Sequence, residues 1–338
     1  MNTALLAPRY KNDGQVVLVL NEVQKRARRD VMDKIDSGAY AFEQCACGVC
    51  GGDAFDVVAE KDRYGIPLSA AVCTACGLVQ TNPRMDQRSY NEFYDSEYRR
   101  LYVGTEGPTR DFFTRQMNQG QLIAQFFARE HPVDWQDLKV LEVGCGAGGI
   151  LKHLRDQGAQ VRGCDLGSEY LAYGRDEYGL NLTHGPLSSL PEDDKFDVII
   201  YSHVFEHVLT PYEELDEVAL RLKPEGLLYL EIPGIHNIRS EYRSDFLRLL
   251  QHAHIFHFTL TTLNNMVARK GFRMVAGTEY VRSIYRQREG AVPEPVNDYP
   301  DVMRRLKRYE RSRPIGRFLP AYLVRVAKLN LRRLAGKA

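Results

Sequence analysis

Two segments of the sequence place glycines or a carboxylate where a predicted strand ends. The run VLEVGCGAGG (140–149) has the pattern of a strand that ends in a glycine turn and opens into a helix. Gly144 and Gly146 lack side chains, so a ligand can approach the main chain there. The next strand ends at Asp165, whose carboxylate could accept hydrogen bonds from both hydroxyls of a ribose.

The glycine spacing is compatible with more than one role for this turn. Gly144, Gly146 and Gly149 satisfy the dinucleotide-binding fingerprint, and a turn that serves only packing is the structural alternative. Glu142, two residues before the first glycine, would repel a pyrophosphate but suits a ligand with an amino group and cationic character. We therefore favour a cationic ligand.

Alternating elements must position this turn. From Lys139 onward, short apolar strands alternate with amphipathic helices, which predicts an α/β fold with a doubly wound, mostly parallel, Rossmann-like sheet. The sequence divides into a helical or irregular segment (1–40), a cysteine-rich module (41–84), a bridging helical segment (85–130), the α/β domain (131–288) and a basic, helical tail (289–338).

Residues 138–285 resemble the class I S-adenosylmethionine-dependent methyltransferases. The resemblance is carried by ExGxGxG at 142–148, by Asp165, and by the segments FDVIIYSHVFEHV and LKPEGLLYLEIPG. It implies that this turn holds the methionine part of the donor, that Asp165 holds the ribose, and that residues 185–187 lie near the adenine. The residues expected to bind the donor are Glu142, Gly144, Cys145, Gly146, Gly148, Asp165, Leu166, Leu187 and Ser202.

The fourth strand of the domain, FDVIIYS, leads into His203-Val-Phe-Glu206-His207. HxxEH is also an inverted zinc-protease motif, but His203 follows a strand instead of lying on a helix face, so we reject that interpretation. In the enzymes that this domain resembles, the stretch lies beside the methyl donor, which implies that Ser202 and His203 face donor and acceptor. In the structural alternative, Glu206 and His207 brace the following helix.

Methyl transfer to oxygen needs a base for the acceptor proton, and a histidine with a pKa near neutrality is the usual one. The segment QHAHIFHFT supplies the further candidates His252, His254 and His257, unless it only leads into a helix capped by Thr259 or Thr261. The predicted catalytic residues are His203, His207, His254 and His257.

Two cysteine pairs predict a structural zinc site. Cys47 and Cys50, and Cys73 and Cys76, form CxxC knuckles that are each followed by glycine, and four thiolates satisfy tetrahedral Zn²⁺. Five of the seven cysteines fall between Cys45 and Cys76, which favours metal over disulfides. Cys45 could replace Cys47 as a ligand, and reduced cysteines without metal are the alternative.

The string CTACGLVQTNPRMDQRSYNEFYDSEYRRLY resembles a bacterial group in which a zinc-ribbon module precedes a class I methyltransferase domain, typically in sugar or surface-polysaccharide biosynthesis. This implies methylation of a sugar in a nucleotide sugar, polysaccharide or other glycan. Deoxysugar C-methyltransferases of this layout carry Tyr-x-Glu-His where this chain has Gln251-His-Ala253-His254, so the carboxylate for carbon deprotonation is absent and O-methylation is favoured over C-methylation.

The bridging segment could also contact the acceptor. Its aromatic and basic side chains could reach across the domain junction, where arginines suit a diphosphate. Packing and solvated surface are the alternative roles for Tyr90, Tyr94, Tyr98, Arg99 and Arg100.

The tail is strongly basic, with 12 Lys and Arg against two acidic residues from Asp301 onward. Residues after Pro320 approximate a basic amphipathic helix, which could contact an anionic membrane, pack on a partner protein, bind RNA, or dock on the acidic body. The apolar positions are Leu319, Tyr322, Leu323, Val326 and Leu334.

Other function classes stay open. An rRNA or tRNA base methyltransferase would suit the tail, but the positive charge is confined to it and the fourth strand lacks an Asn/Asp-Pro-Pro-Tyr element. A non-catalytic scaffold with a degenerate domain is the other alternative, against which the intact Glu142, glycine turn and Asp165 argue. No apolar run approaches about 18 residues and no signal-peptide pattern opens the sequence. We therefore expect a cytoplasmic protein, which the tail could hold at the inner face of the membrane.

Overall fold

The computed structural model describes residues 2–105 and 107–318. The amphipathic helix predicted after Pro320 lies outside these residues. Among the described helices, none combines the length and the apolar character that a bilayer crossing requires.

The N-terminal third contains short strands. They are β1 (Asn2–Thr3), β2 (Phe42–Glu43), β3 (Phe55–Lys61), β4 (Pro67–Cys73), β5 (Val79–Thr81) and β6 (Arg84–Met85). Strands β3 and β4 form an antiparallel hairpin that turns at Gly65, where φ is +69° and the backbone of Gly14 leaves no room for a Cβ. This hairpin carries the second CxxC knuckle at its end.

Helices surround and follow these strands. They are α1 (Glu22–Asp36), α2 (Gln87–Phe93), a π-helical turn (Tyr94–Tyr98), α3 (Arg99–Tyr102) and α4 (Arg110–Glu130). Helix α1 begins at a capping box, in which the Asn21 side chain accepts from the Gln24 N–H and the Gln24 side chain accepts from the Asn21 N–H. Helix α4 lies in the bridging segment (85–130), for which the sequence predicts helices.

The remaining elements form the α/β domain and the segment after it. The strands are β7 (Lys139–Val143), β8 (Gln160–Asp165), β9 (Leu182–His184), β10 (Phe196–Ser202), β11 (Leu222–Glu231), β12 (Phe256–His257), β13 (Phe272–Thr278) and β14 (Arg282–Gln287). The helices are α5 (Gly149–Arg155), α6 (Ser168–Tyr178), α7 (Pro211–Arg221), α8 (Ile238–Glu241), α9 (Leu260–Ala268) and α10 (Tyr299–Phe318).

Seven strands build one large sheet in the order β13-β14-β11-β10-β7-β8-β9. Strands β11, β10, β7, β8 and β9 are parallel, and β14 runs antiparallel to both neighbours. The predicted α/β fold with a large, mostly parallel sheet is confirmed. The carboxyl ends of β7, β8 and β10 lie side by side, which is where such sheets bind ligands.

One boundary of the sequence-based assignment is wrong. The residues LKPEG (222–226) were expected at the end of a helix, but they open strand β11, and α7 ends at Arg221. Pro224 explains the difference, because proline lacks the N–H that a continued helix needs and disfavours helical geometry at the residue before it.

The cysteine-rich part and the α/β domain share a sheet. Strand β12 pairs antiparallel with β5, so the small sheet has the order β1-β3-β4-β5-β12. The Thr81 N–H donates to the Ile255 carbonyl at 2.9 Å, and the Phe256 ring packs so closely on Gly48 that a Cβ there would lie 2.7 Å away. These contacts fix the loop before β12, and His254 lies in that loop.

Candidate active site

The chain turns sharply between β7 and α5 at three glycines with left-handed backbone. The φ angles are +69° at Gly144, +55° at Gly146 and +79° at Gly148, a region that residues with a Cβ adopt only with strain. A Cβ on Gly144 would lie 2.4 Å from Cγ2 of Val204. The Gly144 N–H donates to the Cys164 carbonyl at 2.8 Å, which ties the turn to the end of β8. Main chain therefore lines this turn.

The carboxylate of Asp165 lies at the end of β8, directly beside the glycine turn. Oδ2 accepts from the Gly146 N–H at 2.8 Å, and Oδ1 accepts from the Gly167 N–H at 2.6 Å. Oδ1 also accepts from the Arg99 guanidinium at 2.9 Å, and that guanidinium lies 4.1 Å from the ring centroid of Tyr170. The sequence left Arg99 open between a contact with the acceptor and a role in packing or solvated surface, whereas the structure places it on the carboxylate predicted to bind the ribose.

Glu142 is buried under the turn, and no positive group in the described part of the chain pairs with it. Glu142 is 2% exposed, and its Oε2 has no hydrogen-bond partner among the residues that the structure describes. Burial, and to a smaller extent the negative charge of Asp165, raises the pKa of Glu142 well above its usual range. A ligand that brings a positive charge to this turn would supply what the carboxyl group lacks.

Helix α4 covers the turn from the other side. The Gln116 amide donates to the Cys145 carbonyl at 2.9 Å, and its oxygen accepts from the Gly149 N–H at 3.4 Å. The Phe112 ring lies 3.5 Å from the position of a Cβ on Gly146. These two side chains could not be predicted from the sequence, because a helical pattern predicts α4 but does not say which of its residues lie at the turn.

His203 follows β10 in an uncommon conformation. Its φ is +58°, and its N–H donates to the Glu231 carbonyl at 2.8 Å, which fixes the backbone against β11. Its side chain is 48% exposed. It therefore lies at the carboxyl end of the sheet, where a second ligand could reach it.

The other predicted catalytic histidines are buried. His207 is 9% exposed, His254 4% and His257 1%. Burial lowers the pKa of His207 and of His257 to about 3, and it lowers the pKa of His254 well below its usual value. All three are therefore neutral imidazoles at physiological pH, enclosed by protein.

A carboxyl group lies among these rings. Oε1 of Glu206 is 3.6 Å from Nε2 of His207 and 3.8 Å from Nε2 of His254. Neither oxygen of Glu206 has a hydrogen-bond partner within the described residues, and burial raises the pKa of this carboxyl to about 8. On the far side of the His207 ring, Nδ1 lies 2.5 Å from the Tyr94 hydroxyl.

Comparison with known proteins agrees with this geometry. Residues 113–276 match the family model described as a methyltransferase domain. This range contains the glycine turn, Asp165, His203 and the parallel core of the large sheet. It is a class I S-adenosylmethionine-dependent methyltransferase domain.

Curated relatives match part of this methyltransferase domain. A ubiquinone biosynthesis O-methyltransferase of Maricaulis maris is 34% identical over 101 residues, which is 28% of this chain and 40% of that protein. One of Rickettsia bellii is 35% identical over 104 residues, 29% of this chain and 43% of that protein. The chain thus spans about two fifths of the length of these relatives. A solved S-adenosylmethionine-dependent methyltransferase from Clostridium acetobutylicum has a TM-score of 0.40 at 13% identity, covering 59% of this chain and 99% of its own.

Four further residues that were predicted to bind the donor differ in how exposed they are. Leu166 is 53% exposed beside Asp165, and Ser202 ends β10 half-buried. Cys145 is fully buried within the glycine turn. Leu187 is also fully buried, with its side chain in the hydrophobic core, so any adenine contact there must come from the main chain.

The tyrosines of the bridging segment pack against the methyltransferase domain. The Tyr90 hydroxyl contacts the carbonyl oxygens of His207 and Ala253 at 2.8 and 2.7 Å. The rings of Tyr94 and Tyr98 stack with centroids 4.4 Å apart. Arg100 turns away, with Nε donating to the Ser96 carbonyl at 2.8 Å. Tyr90 and Tyr94 therefore support the histidine loops.

The four cysteines of the two knuckles come together. Sγ of Cys47 lies 3.5 Å from Sγ of Cys76, and Sγ of Cys50 lies 3.5 Å from Sγ of Cys73. All four sulfurs lie within 4.8 Å of one another, and sulfurs about 3.7–3.8 Å apart surround a tetrahedral zinc with bonds of about 2.3 Å. Cys45 lies outside this cluster and accepts from the Gln80 amide at 3.4 Å.

Proposed function

We propose that this protein transfers the methyl group of S-adenosylmethionine to a hydroxyl group of a sugar, in a nucleotide sugar, a polysaccharide or another glycan. One arrangement carries the proposal. The glycine turn and Asp165 lie at the carboxyl ends of β7 and β8, and the half-exposed His203 follows β10 at the same edge.

The residues around the turn fit the methyl donor. Main chain from Gly144 to Gly148 would hold its methionine part, and Asp165 would accept from the ribose hydroxyls. Oε2 of Glu142, which has no hydrogen-bond partner among the described residues, fits a donor that carries both an ammonium group and a sulfonium. When bound, the donor supplies a methyl group that the sulfonium has already activated.

His203 is the best-placed base for the acceptor. His207, His254 and His257 are enclosed, so an acceptor hydroxyl could reach only His203 without a rearrangement. The proton of the acceptor hydroxyl would move to a ring nitrogen of His203 as the oxygen attacks the methyl carbon. The hydrogen bond from the His203 N–H to Glu231 holds the backbone at this position.

The proposal that oxygen is methylated and the proposal that the acceptor is a sugar rest on separate arguments. Oxygen is favoured because Ala253 stands where sugar C-methyltransferases carry glutamate, and the relatives named above are O-methyltransferases. A sugar acceptor is proposed because the cysteine-rich module and the segment that follows it resemble the zinc-ribbon group. The residues proposed to bind the donor would be the same for any acceptor.

Carbon methylation is the second candidate, because of one contact. Oε1 of Glu206 lies 3.8 Å from Nε2 of His254. Glu206 therefore supplies, beside that histidine, a carboxyl group like the one that sugar C-methyltransferases carry at the position of Ala253. The acceptor would then have to reach a histidine that is now enclosed. Analysis of the methylated product separates oxygen from carbon transfer.

We also propose that Cys47, Cys50, Cys73 and Cys76 bind a structural zinc ion. The sulfur separations support this, and the knuckle backbone is already tied to the methyltransferase domain, since the Arg269 guanidinium donates to the Val49 carbonyl at 2.8 Å. A closed set of four thiolates leaves no position for substrate, so the ion would stabilise the fold.

A screen of acceptors tests the proposal. The full chain is incubated with S-adenosylmethionine and with nucleotide sugars, oligosaccharides, quinol precursors or transcribed RNA, and release of S-adenosylhomocysteine is measured. We expect turnover with a glycan acceptor. Turnover only with a quinol precursor or RNA would contradict the sugar, and failure to bind S-adenosylmethionine by calorimetry would support a non-catalytic scaffold.

A further inference from the structure

Three buried side chains that the proposed mechanism does not use converge next to His203. Glu206 and His207 lie on the 3₁₀ turn after β10 (Phe205–His207), and His254 lies on the loop before β12. Oε1 of Glu206 and Nε2 of the two histidines lie within 4.8 Å of one another. Two imidazoles and one carboxylate form a ligand set suited to a divalent transition metal.

The carboxyl group of Glu206 lacks any other partner within the described residues. It is 0% exposed, and neither oxygen makes a hydrogen bond. Burying an unpaired carboxyl group costs folding free energy, and buried polar groups almost always have partners. A cation between Glu206 and the two rings would provide one.

The two rings present the nitrogens that a metal would need. Nδ1 of His207 is engaged by the Tyr94 hydroxyl at 2.5 Å, which leaves Nε2 directed toward Glu206. A hydrogen bond to the second ring nitrogen is the usual outer contact of a metal-binding histidine. Nε2 of His254 also contacts the Gln251 amide, which a metal ion would displace.

The two loops that carry these ligands are held together by other contacts. The Ile255 N–H donates to the Glu206 carbonyl at 2.9 Å, and the Tyr90 hydroxyl bridges the carbonyls of His207 and Ala253. The distances from Glu206 Oε1 to the two nitrogens, 3.6 and 3.8 Å, slightly exceed the separation of about 3.3–3.5 Å between ligands around a tetrahedral zinc. Small side-chain movements would close that difference.

We propose that Glu206, His207 and His254 bind one divalent first-row transition metal ion, separate from the four-cysteine site. Nδ1 of His203 lies 3.9 Å from Glu206 Oε1 on the exposed side of the cluster, so an open position of the ion would face the acceptor region. An ion there would polarise the acceptor oxygen and assist its deprotonation. That catalytic role rests on the proposed function, whereas the binding of the metal does not.

The test counts metal ions on the full chain. Protein stripped of metal is titrated with ZnCl₂ and washed, and its zinc and protein contents are measured. We expect about two zinc ions per wild-type chain and about one for Glu206→Gln or His254→Gln. A parallel titration with CoCl₂ separates the sites, because cobalt on thiolates gives intense sulfur-to-metal absorption, whereas cobalt on nitrogen and oxygen gives only weak visible bands.

The control variant is His252→Gln. His252 is a buried histidine of the same loop, but its Nε2 contacts the Pro67 carbonyl at 2.7 Å, outside the cluster, and this variant should keep about two zinc ions. Retention of the cobalt–thiolate absorption and of S-adenosylmethionine binding shows that each variant is folded. A wild-type chain that binds one zinc ion, at the cysteines alone, would overturn the proposal. The metal count does not depend on finding the acceptor.

Discussion

The guanidinium of Arg99 donates to Oδ1 of Asp165 at 2.9 Å, which links the segment after the cysteine-rich module to the predicted ribose-binding carboxylate. That oxygen also accepts from the Gly167 N–H, and Oδ2 accepts from the Gly146 N–H. Ribose hydroxyls on Asp165 would therefore have to share the carboxylate with Arg99 or displace it. Donor binding would then be coupled to the position of α3 through this ion pair.

Removing the guanidinium should strengthen donor binding. Because Arg99 competes for Asp165, we expect Arg99→Gln to lower the Kd for S-adenosylmethionine two- to fivefold, or about 0.5–1 kcal/mol, the range for a partly exposed ion pair. Isothermal titration calorimetry measures the change. The matched control is Arg100→Gln, which should leave the Kd unchanged. Weaker binding in Arg99→Gln would mean that the guanidinium itself contacts the donor.

A methyl group on the glycine turn should weaken donor binding. Gly144→Ala adds a Cβ at a φ of +69° and 2.4 Å from Val204, so the turn must distort. We expect the Kd for S-adenosylmethionine to rise about tenfold or more, given a strain of about 1–3 kcal/mol. Gly179→Ala is the matched control, because its φ of +59° is similar but nothing lies within 4 Å of the added atom. It should lose about 1 kcal/mol of stability and bind the donor normally.

Loss of the histidine at the end of β10 should slow the chemical step alone. With the acceptor found in the screen, we expect His203→Gln to lower kcat about 100-fold or more through loss of the base. The Kd for S-adenosylmethionine should stay within about twofold, because the donor contacts are main chain and Asp165. His252→Gln serves as the control. Unchanged kcat in His203→Gln would remove this histidine from the mechanism.

Removal of the proposed zinc ion should unfold the cysteine-rich part. Structural zinc sites contribute on the order of 10 kcal/mol to folding, so Cys73→Ser should lose that ion and lower Tm strongly in a thermal melt. Cys45→Ser is the matched control, because Cys45 lies outside the four-sulfur cluster. A Cys73→Ser chain that keeps the wild-type Tm would argue against a structural metal at these cysteines.

Some of the site could be predicted from the sequence because it is local to single strand ends. The turn at 142–148 and Asp165 follow neighbouring parallel strands, so the pattern of residues already brings them together. The contact of Arg99 with Asp165 depends on how α3 packs. The approach of Glu206 to His254 depends on a two-residue strand, β12, that joins the small sheet. No local pattern specifies such pairings, because their energy comes from contacts between distant segments.

We expect the main chain between Glu142 and Gly148, together with Asp165, to hold S-adenosylmethionine. A crystal structure of the protein grown with S-adenosylhomocysteine tests it most directly. We expect density for the amino-acid part along Gly144–Gly148 and for both ribose hydroxyls on Asp165, with Arg99 displaced or sharing the carboxylate. Density for the ligand at another place, or NAD bound in this turn instead, would contradict it.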